Sequence, residues 1–438
     1  MILGLDHLTR LLGSIEADRL VILCGAGLSV SPPSDLMSAV RVARTCYDAY
    51  KPIKVLPPDI RDKIDEIAGY FHGTGEFESL FIGKLVPWNE LVGEPNAGHA
   101  AVSDFLICRA AYAVLSANFD SMIEQWASSR KIRMRGALDG VEAMNFGGDS
   151  NPLVKFHGCL VRSPEDTLWT KEQLRDAKIA ARVKACSEWI KLTLPGKDLL
   201  IVGFWTDWGY LNDVLAEALT AKPFGSVTVV DTASTMDLET KAPKLWSTLV
   251  GGSPSFKHVK ASGADVLGEL RAEFSKTWVR KFYALGRGVL ETAGKVYSEH
   301  EPDMNCDDLY DCRRDAEGVP YNRAARRKTP PSEAALASFL HHLLIEATAT
   351  REGAWYRIGG NRVRVVNGAG QSLNSVREQY REPPALSAAD IVVCAGAADL
   401  SVPGSIIGSG AGASIVHPSG GGGARWMTLE QARGELGI

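Results

Sequence analysis

The chain has 438 residues, more than one ordinary core serves, and this length predicts two or three domains. An apolar fraction of 45% beside 23% charged residues excludes a largely disordered or fibrous chain. A formal net charge of -4 gives no global reason to expect a nucleic-acid binder, while leaving room for a local basic patch.

Met1–Arg10 lacks the basic stretch and long apolar core that export requires, and no apolar run reaches the length of a bilayer span. A cytoplasmic location without a membrane partner is therefore expected. Short apolar runs bounded by turn residues follow at Leu20–Leu23, Ala113–Leu115, Leu153–Phe156, Leu199–Val202 and Val227–Val230, with helical patterns between them. This alternation predicts a parallel sheet covered by helices, of Rossmann-like type. Between the first two runs, Leu36, Val40, Ala43 and Tyr47 recur at helical spacing, as do Ile60, Ile64, Ile67 and Phe71 after Pro57-Pro58-Asp59. Residues 32–100 are read as a helical insertion.

From Glu301 to Pro331 the chain turns polar, charged and proline-punctuated, which marks an exposed connection or boundary. A smaller α+β unit is expected after it, with a helix over Ser332–Ala349, a hairpin around Gly359-Gly360-Asn361 and a strand at Ile391–Cys394. Gly420–Gly423 reads as a flexible loop. The expected organisation is residues 1–300 as one domain, 301–331 as a polar connection and 332–438 as a C-terminal unit for oligomerisation or partner binding.

The eight cysteines, Cys24, Cys46, Cys108, Cys159, Cys186, Cys306, Cys312 and Cys394, form no Cys-x-x-Cys pair and match no histidine spacing. Neither a disulfide framework nor a zinc site is suggested.

The pattern Gly-Ala-Gly-x-Ser occurs at Gly25–Ser29, Gly368–Ser372 and Gly410–Ser414. A strand running into such a turn and then a helix offers backbone N–H groups to an anion. The helix dipole adds only about 0.3–1 kcal/mol per charge, whereas millimolar binding needs roughly 4 kcal/mol. Other groups must therefore choose the ligand. The copy at Gly410 precedes Ile-Val-His-Pro, which opens no helix, and reads as a loop. The copy at Gly368 sits between a strand, Val363–Val366, and a helical stretch, Leu373–Tyr380, with nothing chemically suitable after it. After the copy at Gly25 come Pro95–His99, then Ser116–Asp120 past the second strand, then His157-Gly158 past the third. Residues beyond the carboxyl ends of parallel strands converge on one crevice.

With these residues placed, the chain resembles the sirtuin (silent information regulator) family of NAD-consuming proteins. The resemblance spans Leu20 to about Leu270 and rests on "PNAGHAAVSDF", "VLSANFDSMIE", "KFHGCL", "LLIVGFWTDW" and "VTVVD" in the family's order. It implies that Gly25, Ala26, Gly27 and Ser29 cradle the NAD phosphates and ribose. It likewise implies that Asn118 and Asp120 hold the nicotinamide ribose, that His157 is the catalytic base, and that Gly203 and Asp231 line the adenosine side. Two departures point away from peptide deacylation. The segment after the glycine turn reads Pro33-Ser34-Asp35-Leu36-Met37-Ser38 without the family's arginine, and only Cys159 and Cys186 stand where deacylases carry four zinc-binding cysteines. The fold implied thus lacks a zinc ribbon. The pattern is similar to bacterial sirtuin-like domains that degrade NAD in anti-phage defence, including those paired with a HerA-type hexameric ATPase. It implies NAD as substrate, no zinc, a homo-oligomer and such an ATPase as partner, with nucleic acid left open.

NAD carries a good leaving group, so its cleavage requires stabilising an oxocarbenium-like ribose and delivering water. Asn118 would position a ribose hydroxyl or the water. His157, with an ordinary pKa near 6.5, would be largely neutral at pH 7 and available as a base. Plainer roles compete. His157 could cap buried backbone groups, Asn118 and Asp120 could form an Asx turn, and His99 reads as a cap or core contact. Trp205 and Trp208 read as packing residues, and His341 and His342 as surface or interface residues. An NAD glycohydrolase effector is the leading expectation. An NAD-dependent protein deacylase and a non-catalytic nucleotide-binding assembly scaffold are the alternatives.

Overall fold

A computed structural model describes residues 2–145, 150–380, 389–398 and 424–438. The chain divides into two compact units, Met1–Arg271 and Ala272–Ile438. The first is built on six strands: β1 Leu20–Cys24, β2 Ala113–Ser116, β3 Leu153–Lys155, β4 Asp198–Val202, β5 Ser226–Asp231 and β6 Phe256–Lys260. Their order is β3-β2-β1-β4-β5-β6, and every neighbouring pair runs parallel. This is the expected Rossmann-like sheet, flanked by helices such as Leu5–Glu16, Ala97–Ile107, Ala177–Thr193 and Gly209–Ala221. β1 is Leu-Val-Ile-Leu-Cys with all five residues buried, as a central strand covered on both faces requires. β6 escapes an apolar-run search because Lys257, His258 and Lys260 keep surface at the sheet edge and only Val259 is buried.

The insertion after β1 contains the helices Ala39–Tyr50 and Ile64–Thr74 and a π-helical stretch, Phe77–Leu85. Ser38 caps the first, its hydroxyl accepting from the Arg41 N–H. Tyr50, Phe71, Phe77 and Phe81 form an aromatic core that also takes in Trp169 from beyond β3. Trp169 in turn lies 4.7 Å, centroid to centroid, from Phe119. The loop after β2 is thereby anchored to the insertion's own core.

The second unit carries a five-stranded sheet, β7 Thr350–Glu352, β8 Trp355–Ile358, β9 Asn361–Asn367, β10 Ile391–Ala395 and β11 Arg425–Thr428, in the order β11-β10-β9-β8-β7. β9, β10 and β11 are parallel, whereas β7, β8 and β9 are antiparallel. The expected hairpin is present: Ile358 pairs with Asn361 across Gly359-Gly360, whose φ angles of +54° and +81° suit a two-residue turn that glycine adopts without strain. The Ser332–Ala349 helix is a short 3-10 turn, Ser332–Ala334, followed by an α-helix, Ala335–Glu346. The Gly368 copy does join β9 to a helix, Leu373–Gln379, with Ser372 as its N-cap. The Gly410 copy and Gly420–Gly423 lie outside the described residues.

Two expectations for this unit need correction. The segment read as a polar connection contains the helix Cys306–Ala316, with Arg313, Arg314 and Asp315 buried. Its charge is turned inward: Arg364 of β9 grips Asp315 through two guanidinium hydrogen bonds, one of them 2.8 Å from Nε. His341 and His342 are also buried rather than superficial. His341 Nδ1 lies 2.7 Å from the Tyr356 hydroxyl, and His342 Nε2 donates to the Tyr283 carbonyl at 2.9 Å. Helical position alone did not disclose these polar partners from other elements.

Candidate functional site

The strand order reverses on either side of β1, so the carboxyl ends of β1 and β4 flank a switch point, where open α/β sheets hold ligands. Gly25 follows β1, Asn118 and Asp120 follow β2, His157 follows β3, Gly203 follows β4 and Asp231 ends β5. Ser116 pairs with Lys155 in the sheet, so Asn118 and His157 each stand two residues past that pair.

The two turns at the switch point interlock. The Gly25 N–H donates to the Val202 carbonyl at 3.0 Å and the Gly27 N–H to the Gly203 carbonyl at 2.9 Å. A Cβ on Gly27 would stand 2.6 Å from the Gly203 Cα, and one on Gly25 would stand 2.7 Å from the Phe204 Cβ. Gly203 itself has φ +60°. The glycines are thus demanded first by backbone approach. The N–H groups of Leu28 and Ser29 also bond within the turn, to the carbonyls of Gly25 and Ala26. The turn leads into a three-residue 3-10 segment, Ala26–Leu28, and the next α-helix begins only at Ala39, after Pro32-Pro33. The expected helix dipole behind the turn is absent, because prolines interrupt the chain before a helix can form.

Ser29 is the hub of the polar side chains. Its hydroxyl donates to Asp120 Oδ2 at 2.9 Å and accepts from Asn118 Nδ2 at 3.0 Å. His99 Nε2 lies 3.1 Å from the same oxygen. The Asn96 N–H donates to His99 Nδ1, so the neutral ring carries its proton on Nε2 and donates it to Ser29. Burial lowers the His99 pKa, with Asp120 opposing, which keeps this tautomer neutral. One donated and two accepted bonds saturate the hydroxyl. His99 also completes the capping box that opens Ala97–Ile107, so the expected cap doubles as a partner of Ser29. Asp120 Oδ1 accepts from the Met122 N–H, which is the Asx turn considered for it. One of the two Asn118 amide N–H groups is taken by Ser29, which fixes the carboxamide and leaves its oxygen and its second N–H to offer a ligand.

Lys155, the last residue of β3, is fully buried and was not anticipated. Its ammonium donates to the Asp120 carbonyl, to Glu124 Oε1 at 3.2 Å and toward Cys159 Sγ at 3.3 Å. It ties the loop bearing Asn118 and Asp120 to the strand end bearing His157. The visible signal is a lysine closing an otherwise apolar strand.

His157 makes a different set of contacts. Its Nε2 lies 2.9 Å from the Tyr210 hydroxyl, and its ring is flanked by Phe156 at 4.6 Å and Trp208 at 4.8 Å. Burial, with the Arg182 guanidinium adding to it, pushes the imidazole down to about 3. The expected ordinary pKa is therefore corrected: the ring is neutral throughout the physiological range. Arg182, on Ala177–Thr193, donates to the Asp166 carbonyl at 2.7 Å. Asp231, on the far side of β4, accepts from the Ala233 N–H at 2.8 Å. Trp205 is buried and donates its indole N–H to the Leu238 carbonyl, a packing role. Among the described residues no three His, Cys, Asp or Glu side chains gather as a metal site, and none of the described helices is long and apolar enough to cross a membrane.

Residues 112–248 match the SIR2-like domain. The SIR2-like segment begins at β2 and includes Asn118, Asp120, His157, Gly203 and Asp231, while the turn at Gly25–Ser29 precedes it. Among solved structures, the chain is similar to a Sir2 enzyme structure bearing on mechanism and regulation, at 12% identity over 60% of this chain and 94% of that chain, with a TM-score of 0.33. A Sir2 mutant with p53 peptide and NAD is similar at 12% identity over 61% and 98% of the two chains, TM-score 0.34. A Sir2 homologue mutant in complex with ADP ribose is similar at 14% identity over 60% and 94%, TM-score 0.32. No curated protein matches the chain.

Proposed function

We propose that the protein is an NAD glycohydrolase, cleaving NAD to nicotinamide and ADP-ribose with water as acceptor. The observation that carries this reading is the Ser29 hydroxyl, which joins Asn118 and Asp120 beside the glycine turn at the switch point of the SIR2-like fold. In this reading the interlocked turns at Gly25–Ser29 and Gly203 form the floor under the dinucleotide, with Asp231 toward its adenosine end. Asn118, its nitrogen held by Ser29, turns its amide oxygen to a ribose hydroxyl or to the attacking water, restricting where that oxygen can lie. Asp120 supplies negative charge near the developing oxocarbenium. His157, neutral and clamped between aromatic rings, meets the ribose through a hydrogen bond. The pyridinium of NAD takes the electron pair of the broken bond and leaves as neutral nicotinamide, so its departure needs no proton transfer.

In keeping with the family resemblance, the reading places the enzyme in anti-phage defence, assembled through its C-terminal unit with further copies and a HerA-type ATPase. The test is nicotinamide release from NAD by the full chain, alone and with that ATPase. Asn118→Ala and His157→Ala are expected to abolish release while leaving a folded protein. Undiminished release in both variants overturns the assignment. A requirement for acetylated peptide, with O-acetyl-ADP-ribose as product, would show a deacylase instead.

A further inference from the structure

His157 and Tyr210 share one hydrogen bond, Nε2 to hydroxyl at 2.9 Å, and its direction decides what the imidazole can do. A neutral imidazole has one N–H and one bare nitrogen, and a phenol has one proton and two lone pairs. Either Tyr210 donates to a bare Nε2 and the His157 proton sits on Nδ1, or Nε2–H donates to the oxygen and Nδ1 is bare.

The two arrangements leave different groups unmet. Among the described residues His157 is the hydroxyl's one hydrogen-bond partner. The Tyr210 ring keeps some surface, yet its hydroxyl end is deep enough that burial drives the phenol pKa well up. If Nε2–H donated, the phenolic proton would have no acceptor there, and a buried donor without a partner bears its full desolvation penalty. If Tyr210 donates, only oxygen lone pairs go unused, which proteins tolerate better. Phe156 and Trp208 against the ring hold its orientation and resist a flip that would exchange the two nitrogens. Cationic Arg182 nearby disfavours a second ring proton.

We propose that Tyr210 is a positioning residue that locks His157 in its Nδ1–H tautomer, so that the imidazole meets a ligand oxygen as an N–H donor and not as a proton acceptor. The proposal rests on the reading of His157 as a ligand-facing residue and changes its role within that reading. As the water oxygen bonds to the ribose carbon and the bond to nicotinamide breaks, the water's proton passes to solvent water, with the Asn118 amide oxygen orienting the attacking molecule.

The test is nitrogen NMR of the full chain labelled at its nine histidines, with the His157 signals identified by their loss in His157→Gln. The expected spectrum has the proton on Nδ1 and a bare, hydrogen-bonded Nε2, unchanged between pH 8 and pH 5. In Tyr210→Phe the bare-nitrogen signal is expected to shift and an Nε2–H population to appear. A wild-type spectrum with the proton on Nε2 overturns the proposal, and so does a Tyr210→Phe spectrum identical to wild type. Neither readout involves NAD, so a chain that releases no nicotinamide would sink the function proposed above while this tautomer is still decided by the spectrum.

Discussion

Gly27 and Gly203 meet backbone against backbone, the Gly27 N–H 2.9 Å from the Gly203 carbonyl and no room for a methyl group on either. Gly203→Ala would place its Cβ 2.6 Å from the Gly27 Cα at a φ of +60°. A loss of about 1–3 kcal/mol in unfolding free energy is expected. Gly209→Ala, where a Cβ meets nothing within 4 Å, is expected to cost little or nothing. Urea melts of the two variants check the contrast, and equal stabilities would show that the turns are not interlocked.

Lys155 and Glu124 form a buried pair at 3.2 Å, with lysine and glutamate side chains 1% and 14% exposed. Lys155→Met leaves the carboxylate short of its cation and is expected to destabilise the first unit by roughly 3–5 kcal/mol. Lys155→Met combined with Glu124→Leu should cost clearly less than the sum of the single changes. Additive costs in a double-mutant cycle would count against a coupled pair.

The depressed pKa of His157 sets a pH dependence. An unfolded histidine takes up its proton near pH 6.5, whereas the folded one does so only near pH 3. The folded value lies below the unfolded one, so stability is complete above pH 6.5 and falls as pH drops toward 3. The slope approaches about 1.4 kcal/mol per pH unit for this one proton. His157→Gln removes the term, so wild type and variant should differ by a constant amount above pH 7 and converge on acidification. Parallel stability curves from pH 7.5 to pH 4.5 would contradict the burial of a neutral ring.

In the second unit Asp315 accepts from both Arg364 and Arg314, all three buried. Asp315→Asn deprives the buried Arg364 guanidinium of its carboxylate, while Arg314 keeps Asp311 at 2.7 Å, and is expected to cost about 3–5 kcal/mol. The loss should appear as faster amide exchange in β9 and in Cys306–Ala316. Unchanged protection in both elements would refute it.

Much of the first unit was legible because its strands are buried on both faces. The runs expected at Leu20, Ala113, Leu153, Leu199 and Val227 match β1 to β5 within a residue at each end. β6 was hidden by Lys257 and Lys260, whose polarity is affordable at an edge. The order of glycine turn, Asn-x-Asp and His-Gly told where polar groups would collect, since strand ends fix that. It did not tell which would touch: Ser29 gathers Asn118, Asp120 and His99, while His157 turns to Tyr210, a residue from beyond β4. Pairings across elements depend on side-chain direction and register, which spacing along one chain does not encode. The same limit hid the pairing of Arg364, on a strand, with Asp315, in a segment whose charge suggested solvent.

Because a single oxygen at Ser29 is claimed by three side chains, those side chains cannot rearrange one at a time. A guest that tugs on the carboxamide of Asn118 tugs through that oxygen on His99, and so on the first turn of Ala97–Ile107. An occupied pocket is thus felt at the start of that helix as a change of hydrogen bonding alone, with the main chain staying where it is.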